Sequence, residues 1–329
     1  MKKKILEALK QGKDSYISGE ELSDHIGVTR TAVWKHIKQL KEEGYEIESS
    51  SRKGYRLVSE PDSLDAKALQ IELNTTVIGR EIYHFESIDS TNNKAKLLAS
   101  EGAAEGTVVI AEEQTLGRGR LGRHWVSPKS TGIWMSIILR PNIEPTDAAK
   151  ITLLTAAAVA LAMKKTLECQ PGIKWPNDII LEKRKICGIL TEMSSELNSV
   201  NYLVVGIGIN ANMDAETFPE DIRKVATSIS SCLGKEISRR ELVKSIFEEF
   251  EILYLEYTRT RSMKEIVEIC KAYSVTLDNR VRIISRNQEI QAYAEDLTED
   301  GELVIRKDNG ERETIISGEV SVRGILDYV

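Results

Sequence analysis

The stretch that most constrains the fold is Gly117-Arg118-Gly119-Arg120-Leu121-Gly122-Arg123, set between two apolar runs. Thr107 to Ala111 precedes it, and Gly132-Ile133-Trp134-Met135-Ser136-Ile137-Ile138-Leu139 follows after a short link. The following run reads as a buried strand. Glycine lets backbone N–H groups approach an anion and permits positive φ. Arginine adds a planar, permanently charged fork suited to carboxylates and phosphates. The loop is therefore suited to holding anions. By letter it also matches G-x-G-x-x-G, but a dinucleotide fold needs a helix directly after the glycines. Here His124-Trp125-Val126-Ser127-Pro128 leads into a strand instead. No Lys-Ser/Thr pair closes the loop, so it is not a P-loop. A flexible solvated loop is the plain alternative. Three interleaved glycines argue against it, because they cost chain entropy without a backbone purpose.

A chain of 329 residues is too long for one typical core, so two or three domains are expected. No apolar run approaches a membrane span, and the start, Met1-Lys2-Lys3-Lys4-Ile5-Leu6, reads as an amphipathic helix rather than a secretion signal. No membrane association is expected. The four cysteines, Cys169, Cys187, Cys232 and Cys270, are scattered without a C-x-x-C, which fits reduced thiols in the cytoplasm. The four histidines are equally dispersed, so a histidine metal site or relay triad has little support. Net charge is −6, yet residues 1–60 carry twelve Lys/Arg against ten Asp/Glu, leaving −8 for the remainder. A basic edge on an acidic chain is compatible with local DNA contact.

Within that edge, Ser18-Gly19-Glu20-Glu21 has capping-box spacing. Leu22 and Ile26 give a short apolar face that Gly27 breaks. Thr29 can cap a second helix through Ala32, Val33, Trp34, Ile37 and Leu40 to a stop at Gly44. Two short helices joined by a glycine-containing turn make a helix-turn-helix. The second helix offers Arg30, Thr31, Lys35 and Lys38, types that reach base edges and phosphates. Tyr45 to Glu48 and Tyr55 to Val58 then flank a basic tip holding Arg52 and Lys53, which reads as the wing of a winged helix. A helical interaction module with a solvated charged face is the alternative; the basic tip favours DNA. Pro61-Asp62-Ser63 reads as a linker.

From about Glu81 to Ile209, strands alternate with helices. Ser90-Thr91-Asn92 precedes a helix through Ala95, Leu97, Leu98 and Ala99. The cluster can cap that helix or present hydroxyls and an amide to a ligand. Ala148 to Leu167 read as a long apolar core helix. Lys174-Trp175-Pro176-Asn177-Asp178 gives a rigid polar turn, able to read a purine or its phosphates, or simply to turn. Glu182 to Lys185 then enter the strand Ile186-Cys187-Gly188-Ile189-Leu190, with Lys185 at its edge. Tyr202 to Asn210 read as a core strand in which Gly206 and Gly208 would let a flat ligand lie on backbone. Glu241 to Tyr257 read as a helix. From Ser274 on, short strands alternate with turns at Asn287, Asp300-Gly301 and Asn309-Gly310, which points to a small SH3-type barrel.

Ser90-Thr91-Asn92, Gln114-x-x-Gly117-Arg118-Gly119-Arg120-x-Gly122-Arg123, Lys174-Trp175-Pro176-Asn177-Asp178, Lys185-x-x-Gly188 and Gly206-x-Gly208-x-Asn210 stand together in one order and spacing. In this the chain resembles the bifunctional bacterial biotin protein ligases, enzymes that also repress biotin genes. Gly318-Glu319-Val320-Ser321-Val322-Arg323 resembles the family's closing strand.

The resemblance implies an α+β multidomain protein. It would have a winged helix-turn-helix over 1–60, a mixed α/β ligase domain over 61–273 and an SH3-like barrel over 274–329. It implies that biotin's carboxylate joins the α-phosphate of ATP, giving biotinyl-5′-AMP, and that a lysine of a biotin carboxyl carrier domain then takes the biotin. Two anions must be pressed together, so positive charge belongs where negative charge builds. Lys185, Arg118 and Arg120 are the expected catalytic cations, and Mg²⁺ is implied by the chemistry, its ligands unassigned. The biotin side is expected to comprise Ser90, Thr91, Asn92, Gln114, Gly117, Arg118, Gly119, Arg120, Lys185, Gly188 and Gly206. The ATP side comprises Arg123, Trp125, Lys174, Asn177 and Asn210. Biotinyl-AMP would favour a homodimer that binds operator DNA. A lipoate ligase and a non-catalytic ligand-sensing transcription factor are the rival readings.

Overall fold

Apolar residues at helical spacing build the first of the two units into which the chain divides, Met1–Glu72 and Leu73–Val329. In this computed structural model the described residues are 1–12, 15–59, 62–196, 199–284, 289–317 and 321–324. Helices α1 (Lys2–Gln11), α2 (Gly19–Ile26) and α3 (Arg30–Glu42) precede strands β1 (Glu46–Ser50) and β2 (Gly54–Ser59). Both expected caps are present. Ser18 Oγ accepts from Glu21 N at 3.0 Å, and Thr29 Oγ1 accepts from Ala32 N at 3.2 Å. Ile5, Leu6, Leu9, Leu22, Val33, Ile37, Leu40, Tyr45 and Ile47 form the core of this unit. Trp34 departs from the expected apolar face. Val33, Ile37 and Leu40 already fill the inward stripe, and Trp34 stands 57 % exposed. The antiparallel hairpin β1–β2 gains a bridge from Ile17 to Tyr55. That close crossing requires Gly54, at φ 102°, since a Cβ there would lie 2.1 Å from the Ile17 carbonyl oxygen. Helix α4 (Ala66–Glu72) closes the unit, so the division falls beyond the proposed linker. Of that linker, Pro61 lies outside the described residues.

The second unit is built on a seven-stranded sheet. Its elements are β3 (Ile82–Phe85), α5 (Thr91–Ser100), β4 (Val108–Ala111), β5 (Ile133–Leu139), α6 (Ala148–Leu167), β6 (Gly172–Lys174), β7 (Asp178–Leu181), β8 (Arg184–Glu196) and β9 (Ser199–Ile209). The order is β3-β4-β5-β9-β8-β7-β6, antiparallel except for β3–β4. The run after the arginine loop is the buried strand β5, as expected, and the apolar run before it is the buried strand β4. Helix α6 matches its expected bounds. By length and composition alone it could cross a membrane, which the reading of the apolar runs overlooked, but its central residues are buried. It packs against α8 and β8.

Helices α7 (Ile229–Leu233), α8 (Arg239–Thr260) and α9 (Lys264–Ala272) follow. Leu242, Ile246, Phe250, Leu253 and Tyr257 all face inward along α8, and α8 covers the expected helix. Strands β10 (Arg280–Ile284), β11 (Glu289–Leu297), β12 (Leu303–Arg306), β13 (Arg312–Ile315) and β14 (Ser321–Gly324) form an antiparallel sheet ordered β13-β12-β11-β10-β14. Gly301 and Gly310 turn it at positive φ. The expected turn at Asn287 and the segment Gly318-Glu319-Val320 lie outside the described residues. This sheet is fastened to the polar turn after β6. Ile173 N donates to Tyr273 O at 2.7 Å, Trp175 N to Thr276 Oγ1 at 2.9 Å, and Trp175 Nε1 to Gly301 O at 3.0 Å.

Candidate active site

The site begins with the arginine loop, which closes on itself. Gly119 N donates to Arg123 O at 2.7 Å and Trp125 N to Gly117 O at 2.9 Å. Leu121 (φ 56°) and Gly122 (φ 71°) make the tip. Gly117 permits the crossing, because a Cβ there would lie 2.4 Å from the Trp125 carbonyl oxygen. The returning chain carries the Trp125 indole over the glycine pair Gly188 and Gly208, which face each other across β8 and β9. A Cβ on Gly208 would come within 2.7 Å of the indole nitrogen. The space expected for a flat ligand above Gly208 is thus filled by this chain's own indole. The space above Gly206 is filled by the Asn92 amide, 2.3 Å from where a Cβ would stand.

These elements enclose a cavity of about 240 Å³. Of the biotin, ATP and catalytic residues expected from the sequence, all but Gly117 border it. Among the described residues, Arg118, Arg120, Arg123, Lys174, Lys185 and Arg323 bring six cationic side chains to its lining, against one carboxylate, Asp178. Lys185 Nζ pairs with Asp178 at 2.5 Å and lies 5.2 Å from the Trp125 ring centre. Burial pushes the Lys174 ammonium down to about 7; Asp178 opposes this, while Lys185, Arg323 and Arg123 add to it. Burial likewise lowers Arg120, with Asp178 opposing and Arg123 reinforcing. Crowded cations are costly without anions, so the cavity is electrostatically prepared for negative ligands. The Trp125 indole N–H is enclosed and donates to no acceptor among the described residues.

Other expected contacts are already engaged within the protein. Asn177 Oδ1 accepts from Arg120 Nη1 at 2.9 Å, and its Nδ2 donates to Ile189 O at 3.1 Å. Arg120 Nη2 also reaches Ser317 O at 3.4 Å, tying the loop to the C-terminal sheet. Asn210, 3 % exposed, donates to Thr227 O at 3.0 Å. Gln114 Oε1 accepts from Thr91 N at 2.9 Å and its Nε2 donates to Ser127 Oγ at 3.0 Å. Ser90 occupies the N-cap of α5 without a side-chain cap bond, so capping does not explain its hydroxyl.

Sequence reasoning passed over several lining residues. Asp178 was only the end of a turn. Arg323, read in the sequence only as part of the closing strand, arrives from β14, far along the chain. Phe218, Ile222, Val225 and Ala226 form an apolar wall beside Trp125, from a stretch with no clear period.

The first unit carries a separate exposed face. Arg30, Thr31, Lys35, Lys38, Arg52 and Lys53 are all exposed. Arg30 pairs with Glu20 at 2.5 Å and Lys38 with Glu42 at 3.8 Å. Lys53 Nζ lies 5.5 Å from the Tyr16 ring centre and Arg56 lies 5.1 Å from it. Trp34 projects between Arg30 and Lys38, one helical turn from each.

Comparison with known proteins agrees with this division. Residues 2–56 match a helix-turn-helix family, 84–210 the biotin/lipoate A/B protein ligase family, and 276–323 the biotin protein ligase C-terminal domain. The chain is 38 % identical over 310 residues to the bifunctional ligase/repressor BirA of Bacillus spizizenii, covering 94 % of this chain and 95 % of that one. It is 28 % identical to the protein of the same name from Escherichia coli, over 97 % of this chain and 96 % of that one. Among solved structures, the biotin protein ligase of Aquifex aeolicus in complex with biotin and ATP superposes with a TM-score of 0.65 at 28 % identity, covering 74 % of this chain and 99 % of that one.

Proposed function

The chain belongs to the bifunctional ligase/repressor family of biotin protein ligases, and we propose that its cationic cavity joins biotin to AMP and passes biotin to a carrier lysine. The observation that carries this reading is the set of six cationic side chains that, among the described residues, share a single cavity with one carboxylate. In the first step the biotin carboxylate oxygen attacks the α-phosphorus of ATP and pyrophosphate leaves. In the second, the neutral amine of a lysine on a biotin carboxyl carrier domain attacks the acyl carbon, and AMP leaves. Lys185, Arg118 and Arg120 stabilise the charge that gathers at the carboxylate and α-phosphate. Lys185 gives up Asp178 for the ligand. Ser90, Thr91, Asn92 and Gln114 form the polar wall for the biotin head, with Gly188 and Gly206 giving strand room for the neighbouring side chains. Gly119 belongs to this wall, and Gly117 supports it by letting the loop cross. Arg123, Trp125, Lys174, Asn177 and Asn210 form the nucleotide side, the last two chiefly by holding the strands. Magnesium enters with the nucleotide's phosphates, as part of the substrate.

The domain assignment proposed is a winged helix over 1–60, a ligase domain over 61–273 and an SH3-like barrel over 274–329. The hairpin β1–β2 beside α3 and the five-stranded antiparallel sheet support those finer terms. Arg30, Thr31, Lys35, Lys38, Arg52 and Lys53 are the proposed operator contacts, with biotinyl-AMP favouring a homodimer that presents two such units. Four free cysteines suit the cytoplasm.

Pyrophosphate exchange into ATP tests the reading directly. Exchange should require biotin, and a streptavidin blot of carrier domain incubated with the protein and ATP should show labelling. Exchange driven by lipoate instead of biotin would replace this function with the family's other one. No exchange with either acid would leave a ligand sensor.

A further inference from the structure

We propose that Arg239, outside the cavity lining, is a positioning residue: it ties both ends of the arginine-loop segment to α8 and so sets how long the protein holds its adenylate. The proposal rests on the reading that biotinyl-AMP forms in this cavity.

The segment leaves the sheet at Glu112, directly after β4, and returns at Gly132, directly before β5. Between those ends it carries Gln114, Arg118, Arg120, Arg123 and Trp125 to the cavity. Arg239 is the first residue of α8 and is 2 % exposed. Its Nη1 donates to Glu112 Oε2 at 2.8 Å and to Gly132 O at 3.0 Å. One guanidinium nitrogen thus spans both ends of the segment. Inside that tie, Ser130 N donates to Glu112 O at 3.0 Å and Gln114 N to Ser127 O at 3.1 Å. A glycine-rich segment is costly to order, and holding its ends together removes part of the entropy that a ligand must otherwise overcome.

The same end of α8 holds the other wall of the cavity. Asn212 Nδ2 donates to Ile237 O at 2.9 Å, and Ile237 N donates to Asn212 Oδ1 at 3.0 Å. Asn212 N donates to Thr131 O at 2.6 Å, beside Gly132. Asn212 opens the stretch that supplies Phe218, Ile222, Val225 and Ala226 to the cavity. Ile237 and Arg239 therefore secure both the arginine-loop segment and the apolar wall. An adenylate rests on both walls, so its retention depends on this junction more steeply than the binding of biotin alone.

Arg239→Met leaves a buried carboxylate without this cation and should lower Tm. Glu112→Leu/Arg239→Met removes both charges and should regain most of that Tm, since apolar side chains replace buried ion pairs at little cost. It does not restore the tie. We expect bound biotinyl-AMP to leave both variants on the order of tenfold faster than the wild type, the scale of one charge-assisted hydrogen bond. Pyrophosphate exchange at saturating biotin and ATP should stay within about threefold of wild type, because the ligands then hold the segment. Trypsin should cut the empty variants faster after Arg118, Arg120 and Arg123. A structural role alone predicts that retention returns with Tm in the double variant. That return would overturn the proposal, as would wild-type cleavage in the double variant. Asn212→Ala leaves the ion pair in place and probes the same junction; adenylate loss should quicken a few-fold. Wild-type retention by this variant would refute the junction, whatever the fold of the double variant. Absence of biotin-dependent exchange in the wild type would instead overturn the underlying function, and trypsin digestion of the empty proteins would still decide whether Arg239 holds the segment.

Discussion

Two cationic surfaces in this protein obey different physics. The face of α3 and the tip of β1–β2 hold their charges in water, mostly far from low-dielectric surroundings. The cavity of the second unit crowds its charges under an indole and two sheet edges. On the exposed face each charge is screened by salt and is replaceable. In the cavity burial lowers Lys174 and Arg120, Asp178 opposes that, and neighbouring cations add to it. The first arrangement suits a long polyanion met through many weak contacts. The second suits two small anions that must be forced together. Substitutions should therefore have steep local effects in the cavity and shallow, salt-dependent effects on the exposed face.

The largest effect is expected at Lys185. Its ammonium is held by Asp178 beside Trp125, and the proposed reaction needs a cation where phosphate and carboxylate meet. Lys185→Ala should slow biotinyl-AMP formation by roughly 10²–10³, the scale for losing one preorganised donor. The fold should persist, because the ammonium end borders a cavity rather than packed core. Single-turnover adenylation measured on a variant with native circular dichroism checks this. A wild-type rate would erase the contrast between the two surfaces.

On the exposed face the effects are smaller and of two kinds. Trp34 stands among cations with an indole that makes apolar contact, so it should read sequence rather than charge. Trp34→Ala should weaken binding to a DNA site selected from random sequence by about tenfold, leaving non-specific binding nearly unchanged. Lys35→Ala should weaken both kinds of binding a few-fold and reduce the salt slope by about one. Fluorescence anisotropy across a salt series separates them. Identical salt slopes for wild type and Lys35→Ala would mean this face meets no phosphate.

How much of this was legible depended on whether the signal was local. Ser18 and Thr29 announce their helices because a cap acts within one turn. Ala148 to Leu167 announce a core helix by an unbroken apolar run. The five motifs were legible as chemistry, and the structure brings nearly all their residues to one cavity. What they do there was less legible. Asn177 and Asn210 spend their amides on Ile189 and Thr227, and Gly208 makes room for Trp125. Such partners lie well beyond one helical turn or strand repeat along the chain, and periodicity carries no trace of them. Arg323 was legible only as part of the closing strand, and its place in the cavity lining was not. Trp34 was readable and was missed. Val33, Ile37 and Leu40 keep the inward spacing, and Trp34 sits at i+4 from Arg30, on the charged side.

The smallest expected effect is the most direct measure of crowding in the cavity. Lys174 is 4 % exposed, and its ammonium is pushed from 10.5 down to about 7. At pH 8 it is mostly neutral in the empty protein. Nucleotide phosphates bring negative charge that favours the ammonium, so binding should draw a proton from solution. Near pH 6 the group is already charged and the uptake should vanish. Stability follows the same sign. Between about 7 and 10.5 the unfolded chain holds the proton that the folded chain lacks, so this group's contribution rises with pH through that window. Below about pH 7 its penalty is fully present. Titration calorimetry of ATP at pH 8, in two buffers of different ionisation enthalpy, reads the uptake as the difference between apparent enthalpies. The wild type should take up a large fraction of one proton, and Lys174→Met close to none. Equal uptake by the two proteins would show that the cavity holds Lys174 no differently from a lysine on α3, and the distinction between the two surfaces would then rest on geometry alone.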